Sequence, residues 1–116
     1  MLVGAILCHL RDPVGALTSI TRRCRHVLVI TDVIVESPES FMSFVPRPSA
    51  SVGHHNTWWH LSLSFYGVIL EILGFKIVHY AQNQYPWQNA TWQNAPEQHG
   101  LMRLGTIGAT RFEPAI

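Results

Sequence analysis

A chain of 116 residues makes one domain at most, and its apolar fraction of 47% is enough for a packed core. The charged fraction, 13%, is about half the roughly 25% of ordinary globular proteins, which points to a small solvated face or to a piece of something larger. A net charge of +1 gives no basic stripe for nucleic acid. Two cysteines make neither a disulfide framework nor a zinc motif, and no apolar run approaches the ~18 residues of a membrane span. The expectation is a cytoplasmic chain with reduced thiols and no membrane segment; residues 1–8 lack the basic start and small-residue cleavage site of a signal peptide.

Residues 1–10 are a continuous apolar run, read as a buried parallel strand. Asp12 caps the helix that follows, and Pro13 takes its first position, where a missing N–H costs nothing. Val14, Leu17, Ile20 and Cys24 form its inner face. Arg22, Arg23 and Arg25 crowd its C-terminal end, where cations suit the helix dipole, and are read as a solvated end rather than an anion site. Residues 27–35, V-L-V-I-T-D-V-I-V, are a second buried strand, completing a right-handed βαβ unit. Asp32 and Glu36 flank its end and are read as solvated loop carboxylates in preference to ligand contacts. Residues 36–53 are rich in Ser and Pro, and the loop region as a whole runs over 36–61. It follows the carboxyl end of a parallel strand, where open α/β sheets place ligands.

Residues 56–78 organise the chain. Ser62 is a helix N-cap, and Leu63, Tyr66, Ile69, Leu70 and Leu73 recur at helical spacing on one broad apolar face. Gly67 inside this helix costs about 1 kcal/mol relative to alanine, so packing must hold it. Gly74 sits where a helix stops with positive φ, and Phe75 is the apolar partner of that stop. Residues 76–82 read as a strand. Residues 83–101 are a polar excursion containing a short repeat, Trp87-Gln88-Asn89-Ala90 and Trp92-Gln93-Asn94-Ala95, too brief for a solenoid. Residues 102–111 form a last strand, weakened by Gly105 and Gly108, pairing antiparallel with 76–82 as a long hairpin.

I-L-C-H-L-R-D-P-V-G-A-L, residues 6–17, resembles the fourth strand and following helix of class I S-adenosylmethionine-dependent methyltransferases. The nearest likeness is to the branch written L-Y-H-x-R-x-P, which includes the tRNA wobble-uridine carboxymethyltransferase-like proteins. H-N-T-W-W-H-L-S and G-F-K-I-V resemble the segments leading into and out of that fold's last helix, and R-L-G-T-I-G-A-T-R its final antiparallel strand. The resemblance implies an α/β fold: a partial Rossmann-like methyltransferase sheet, strands four to seven, the last antiparallel, with flanking helices. Residues 1–116 would be the C-terminal part of the domain. In order of appearance the strands would lie first, second, fourth, third. The family's cofactor half, with its glycine-rich turn, has no counterpart in these residues, since no G-x-G-x-G occurs. The strand at 1–10 would then be an uncovered apolar edge, open to self-association or to a partner chain.

The same resemblance implies the site. His9 would lie close to the reacting methyl group of S-adenosylmethionine, as catalytic base and cofactor contact, taking a proton from an acceptor hydroxyl or amine; a histidine bonded to loop backbone is the competing reading. Cys8, standing where the branch has tyrosine, would line the same pocket or serve as a small buried hydrophobe. Trp58 and Trp59 would shape the acceptor pocket, with Asn56 as a polar contact. Adjacent residues do not share a face, so one tryptophan should pack the approach to the helix instead. His54, His55 and His60 lack acidic or cysteine neighbours, and no metal is expected. The implied function is transfer of a methyl-type group to an unidentified acceptor, a small molecule or RNA, the near-neutral charge leaning against RNA. The competing readings are a non-catalytic remnant or subunit that folds against a partner, and a ligand-binding module built on Trp87 and Trp92.

Overall fold

The computed structural model describes residues 1–4, 6–46, 57–88 and 99–112, with residues 85–88 and 99–102 described through their backbone. The opening apolar run does not make one strand. β1 (Leu2–Gly4) is short, and Leu7–His9 winds into a 3₁₀ turn. The reason lies 25 residues downstream: the Asp32 carboxylate takes the N–H groups of Leu7 (2.9 Å) and Cys8 (3.3 Å), an alternative to a strand ladder. α1 (Pro13–Arg23) begins as expected, with Asp12 accepting from the Gly15 N–H at 2.8 Å and burying Leu17 and Thr21.

β2 (Val27–Asp32) also stops early, because Asp32 caps the N–H of Val33 at 2.7 Å and the chain leaves the sheet. β3 (Ile34–Val35) joins a second sheet with β4 (Met42–Phe44) and β5 (Trp59–Ser62), in the order β3-β5-β4. The stretch read as loop over 36–61 therefore contains β4 and most of β5. The three residues of β4 are too few to show period-two alternation among the serines and prolines.

α2 (Leu63–Ile72) starts at Ser62, whose hydroxyl accepts from the Phe65 N–H at 3.1 Å, and buries Tyr66 and Leu70. Gly74 stops it at φ 90°, a conformation that costs a side-chain-bearing residue about 1 kcal/mol or more. β6 (Phe75–Gln88) and β7 (His99–Arg111) then pair from Phe75↔Arg111 through Gln88↔His99. The polar excursion expected over 83–101 is thus largely paired backbone, and residues 89–98, with Trp92, lie outside the described residues.

The main sheet has the order β1-β2-β7-β6, as expected for these strands. β1 and β2 are parallel, and β7 runs antiparallel to both β2 and β6. β2 ends at Asp32↔Gly105, so residues 83–88 and 99–104 continue as a two-stranded ribbon roughly 20 Å past it. Gly105 does more than weaken a strand. A Cβ there would lie 3.0 Å from the Tyr80 ring and 3.1 Å from Ile34, so its bareness lets β3 cross over the sheet. Val3, Leu7, Leu17, Leu28, Ile30, Tyr66, Leu70, Phe75 and Ile107 form one buried cluster. Arg111 ties the end of α1 to it: the guanidinium donates to the carbonyls of Cys24 (2.7 Å) and Thr21 and lies 4.7 Å above the Phe75 ring. No helix among the described residues is long and apolar enough to cross a membrane.

Candidate functional site

The carboxyl ends of β1 and β2 meet at Asp32, which is 1% exposed and not the solvated loop carboxylate expected. Oδ2 accepts from the N–H of Leu7 and of Cys8, and Oδ1 from that of Val33, three bonds that replace the water lost on burial. Burial, with Asp32 beside it, pushes the Cys8 thiol up to about 12. Cys8 is therefore protonated at neutral pH and is no nucleophile. Its amide is held by Asp32 and its carbonyl accepts the Trp58 N–H at 2.8 Å.

That bond brings the second cluster to the first. The Trp58 carbonyl accepts from the Val45 N–H at 2.9 Å, fixing it against β4. The Arg11 guanidinium lies 4.9 Å over the Trp58 ring, and the Arg11 carbonyl accepts the Trp59 indole N–H at 3.1 Å. Phe44, half-exposed, stands edge-on to Trp59 at 5.2 Å and tilted to Trp58 at 6.1 Å. Trp59 also packs on the core, the role expected of one member of the pair, which leaves Trp58 as the outer ring under Arg11. His9 is exposed at the end of the turn. The structure thus gathers Cys8, His9, Trp58 and Trp59 around one turn. Asn56, His54 and His55 lie outside the described residues; His60 is partly buried on β5, and Glu36 is exposed, accepting from the Tyr80 hydroxyl at 3.2 Å.

Sequence reasoning missed Arg11, Phe44 and the burial of Asp32. Arg11 stood inside the L-R-D-P stretch and had a visible signal. So did Asp32, an acid in the middle of an apolar run, where burial demands partners. Phe44, in a serine- and proline-rich stretch, had none. Tyr66 adds an oddity: it is fully buried, and its hydroxyl has no hydrogen-bond partner among the described residues. Burial pushes its ionisation well above the usual phenol range, with the negative charge of Asp32 adding to that, and that of Cys8 once the thiol ionises at high pH. Two open grooves, of about 430 Å³ beside Phe75 and Lys76 and about 440 Å³ beside Cys24 and Val27, lie at the opposite, amino edge of β2 and β6.

No family model and no curated protein matches the sequence. Solved structures do match in three dimensions. One is the crystal structure of a Listeria monocytogenes protein provisionally described as an S-adenosylmethionine-dependent methyltransferase. It superposes with a TM-score of 0.57 at 12% identity, over 97% of this chain and 60% of that one. The chain shares the mixed α/β fold of that neighbour. It spans about 60% of the neighbour's length, and at this identity the likeness shows the mixed α/β architecture alone.

Proposed function

We propose that the chain is the C-terminal part of a class I S-adenosylmethionine-dependent methyltransferase domain, moving a methyl-type group to an acceptor oxygen, nitrogen or carbon. The observation that carries this is β7 lying antiparallel between β2 and β6, in an arrangement superposing on a methyltransferase-like neighbour over 97% of the chain. On this reading β1, β2, β6 and β7 are the family's strands four to seven, nearest the wobble-uridine carboxymethyltransferase-like branch. Most of the cofactor's contacts belong to the family's glycine-rich half, which has no counterpart among these 116 residues.

S-adenosylmethionine, when bound, supplies a methyl group on a sulfonium that is already a good leaving group, so the protein's work is mostly positioning. The residues present fit one side of such a ligand. Cys8 offers only a small apolar surface, because its amide and carbonyl are engaged. His9 offers an exposed imidazole that accepts the proton leaving the acceptor. Trp58, held under Arg11, forms the wall against which the acceptor lies, with Trp59 behind it and Asn56 as a polar contact. Expressing the complete reading frame and titrating it with S-adenosylhomocysteine tests this. Binding is expected, and His9→Ala should lower methyl transfer by about 10²–10⁴-fold while leaving binding within a few-fold. Absence of binding by the complete protein refutes the proposal.

The main sheet's edge favours a second reading, a non-catalytic chain that folds against a partner or a second copy. β1 carries Leu2 at 73% exposure, flanked by Met1 at 49% and Ile6 at 46%, an apolar edge with no strand beyond it among the described residues, of the kind that templates association. Sedimentation across a concentration series decides it: a monomer throughout argues against pairing through β1.

A further inference from the structure

We infer that Asp32 is the positioning residue of the candidate site: its one buried carboxylate sets the turn that presents His9, the backbone contact that holds Trp58, and the exit of β2 into the second sheet. What the turn is for rests on the methyltransferase reading; the positioning itself does not.

The argument begins with an unmet need. The first N–H groups of a helical turn have no partner within it. Ile6, at the N-cap of the Leu7–His9 turn, supplies no side-chain bond. Asp32 supplies it from another strand, Oδ2 taking both Leu7 N–H (2.9 Å) and Cys8 N–H (3.3 Å). The same carboxylate takes Val33 N–H at 2.7 Å through Oδ1. Two segments 25 residues apart are thereby fixed to one anion. Cys8 is then held from both sides, its N–H by Asp32 and its carbonyl by the Trp58 N–H at 2.8 Å. A change at Asp32 is therefore felt at His9, one residue further along the turn, and at Trp58, one bond further on. Leu7 is fully buried in the core and anchors the turn's side chain independently, so losing the carboxylate loosens the turn without dissolving the fold. The titratable groups that feel Asp32 are Cys8 from the turn and Tyr66 from α2.

Asp32→Asn is the decisive variant, since its amide keeps one acceptor and points an N–H₂ at backbone donors. Ile107→Val, a core change on β7, is the control for general loss of stability. Amide hydrogen exchange is read on the full chain without cofactor. In Asp32→Asn, exchange at Leu7, Cys8, Val33 and Trp58 should quicken about 10- to 100-fold beyond the control, the effect of losing charge-assisted bonds. The His9 resonances should shift, and the pH at which Cys8 is alkylated should fall below its wild-type value. Equal behaviour of the two variants overturns the inference. Should Asp32→Asn fail to fold, through-hydrogen-bond couplings from the Leu7 and Val33 amides to the Asp32 carboxyl carbon are measured in the unmutated chain, and their absence overturns it as well. These readouts need no catalysis, so a complete protein that transfers no methyl group sinks the enzyme reading alone.

Discussion

Tyr66→Phe should stabilise the protein. Tyr66 lies in the first turn of α2, fully buried, its ring edge-on to Phe65 at 5.7 Å. Phenylalanine keeps the ring and that packing and removes a hydroxyl with no partner among the described residues. A buried polar group left unpaired costs about 1–3 kcal/mol. The gap left behind is smaller than a methyl group and costs up to about 1 kcal/mol. The balance is a gain of about 1 kcal/mol. Urea unfolding followed by far-UV circular dichroism at neutral pH reads it as a midpoint raised by about 0.5–1 M at unchanged slope. A midpoint lowered by a similar amount refutes the reasoning, because it means the hydroxyl has a partner, such as a buried water joining it to the Asp32 region.

Gly105→Ala should cost about 1–3 kcal/mol, because its methyl group meets Ile34 and the Tyr80 ring at about 3 Å, and the urea midpoint measures the loss. Arg111→Met keeps the contact with Phe75 but removes the donors to the Thr21 and Cys24 carbonyls; for this partly exposed group the expected loss is about 1–2 kcal/mol, with exchange at the end of α1 rising first. Alkaline pH should unfold the chain early. Burial and Asp32 raise the Cys8 thiol from 9.0 to about 12, and burial raises Tyr66 too, so the folded state holds these protons more tightly than the unfolded one. Stability is therefore full below about pH 9 and declines as pH rises toward 12, and Cys8→Ala should flatten that decline in a series of unfolding curves.

What could be read from the sequence was local or periodic. Asp12, Ser62 and Gly74 punctuate the two helices through partners within three residues, and all three sit as expected. The apolar stripe of α2 is likewise local, with Tyr66 and Leu70 at its buried centre. The turn at Leu7–His9 was hidden, because its acceptor is Asp32 and nothing in I-L-C-H announces a distant carboxylate. Residues 34–35 were read as strand, but as the end of one strand over 27–35; the break at Val33, and β4 and β5 within the expected loop, were hidden because such short strands exist only through their pairing with one another. The site divides the same way. His9 and the tryptophans could be named from a motif. The bonds that join them, from Asp32 to the turn and from Cys8 to Trp58, are long-range backbone contacts with no pattern in the residues themselves.

The most direct test of the methyltransferase reading is an S-adenosylhomocysteine titration of the isotope-labelled protein from the complete reading frame, followed by amide and imidazole resonances. The account predicts saturable shifts at Cys8, His9 and Trp58, at the carboxyl edge of β1 and β2. No saturable binding, or shifts confined to the groove beside Phe75 and Lys76 at the opposite edge, would contradict it.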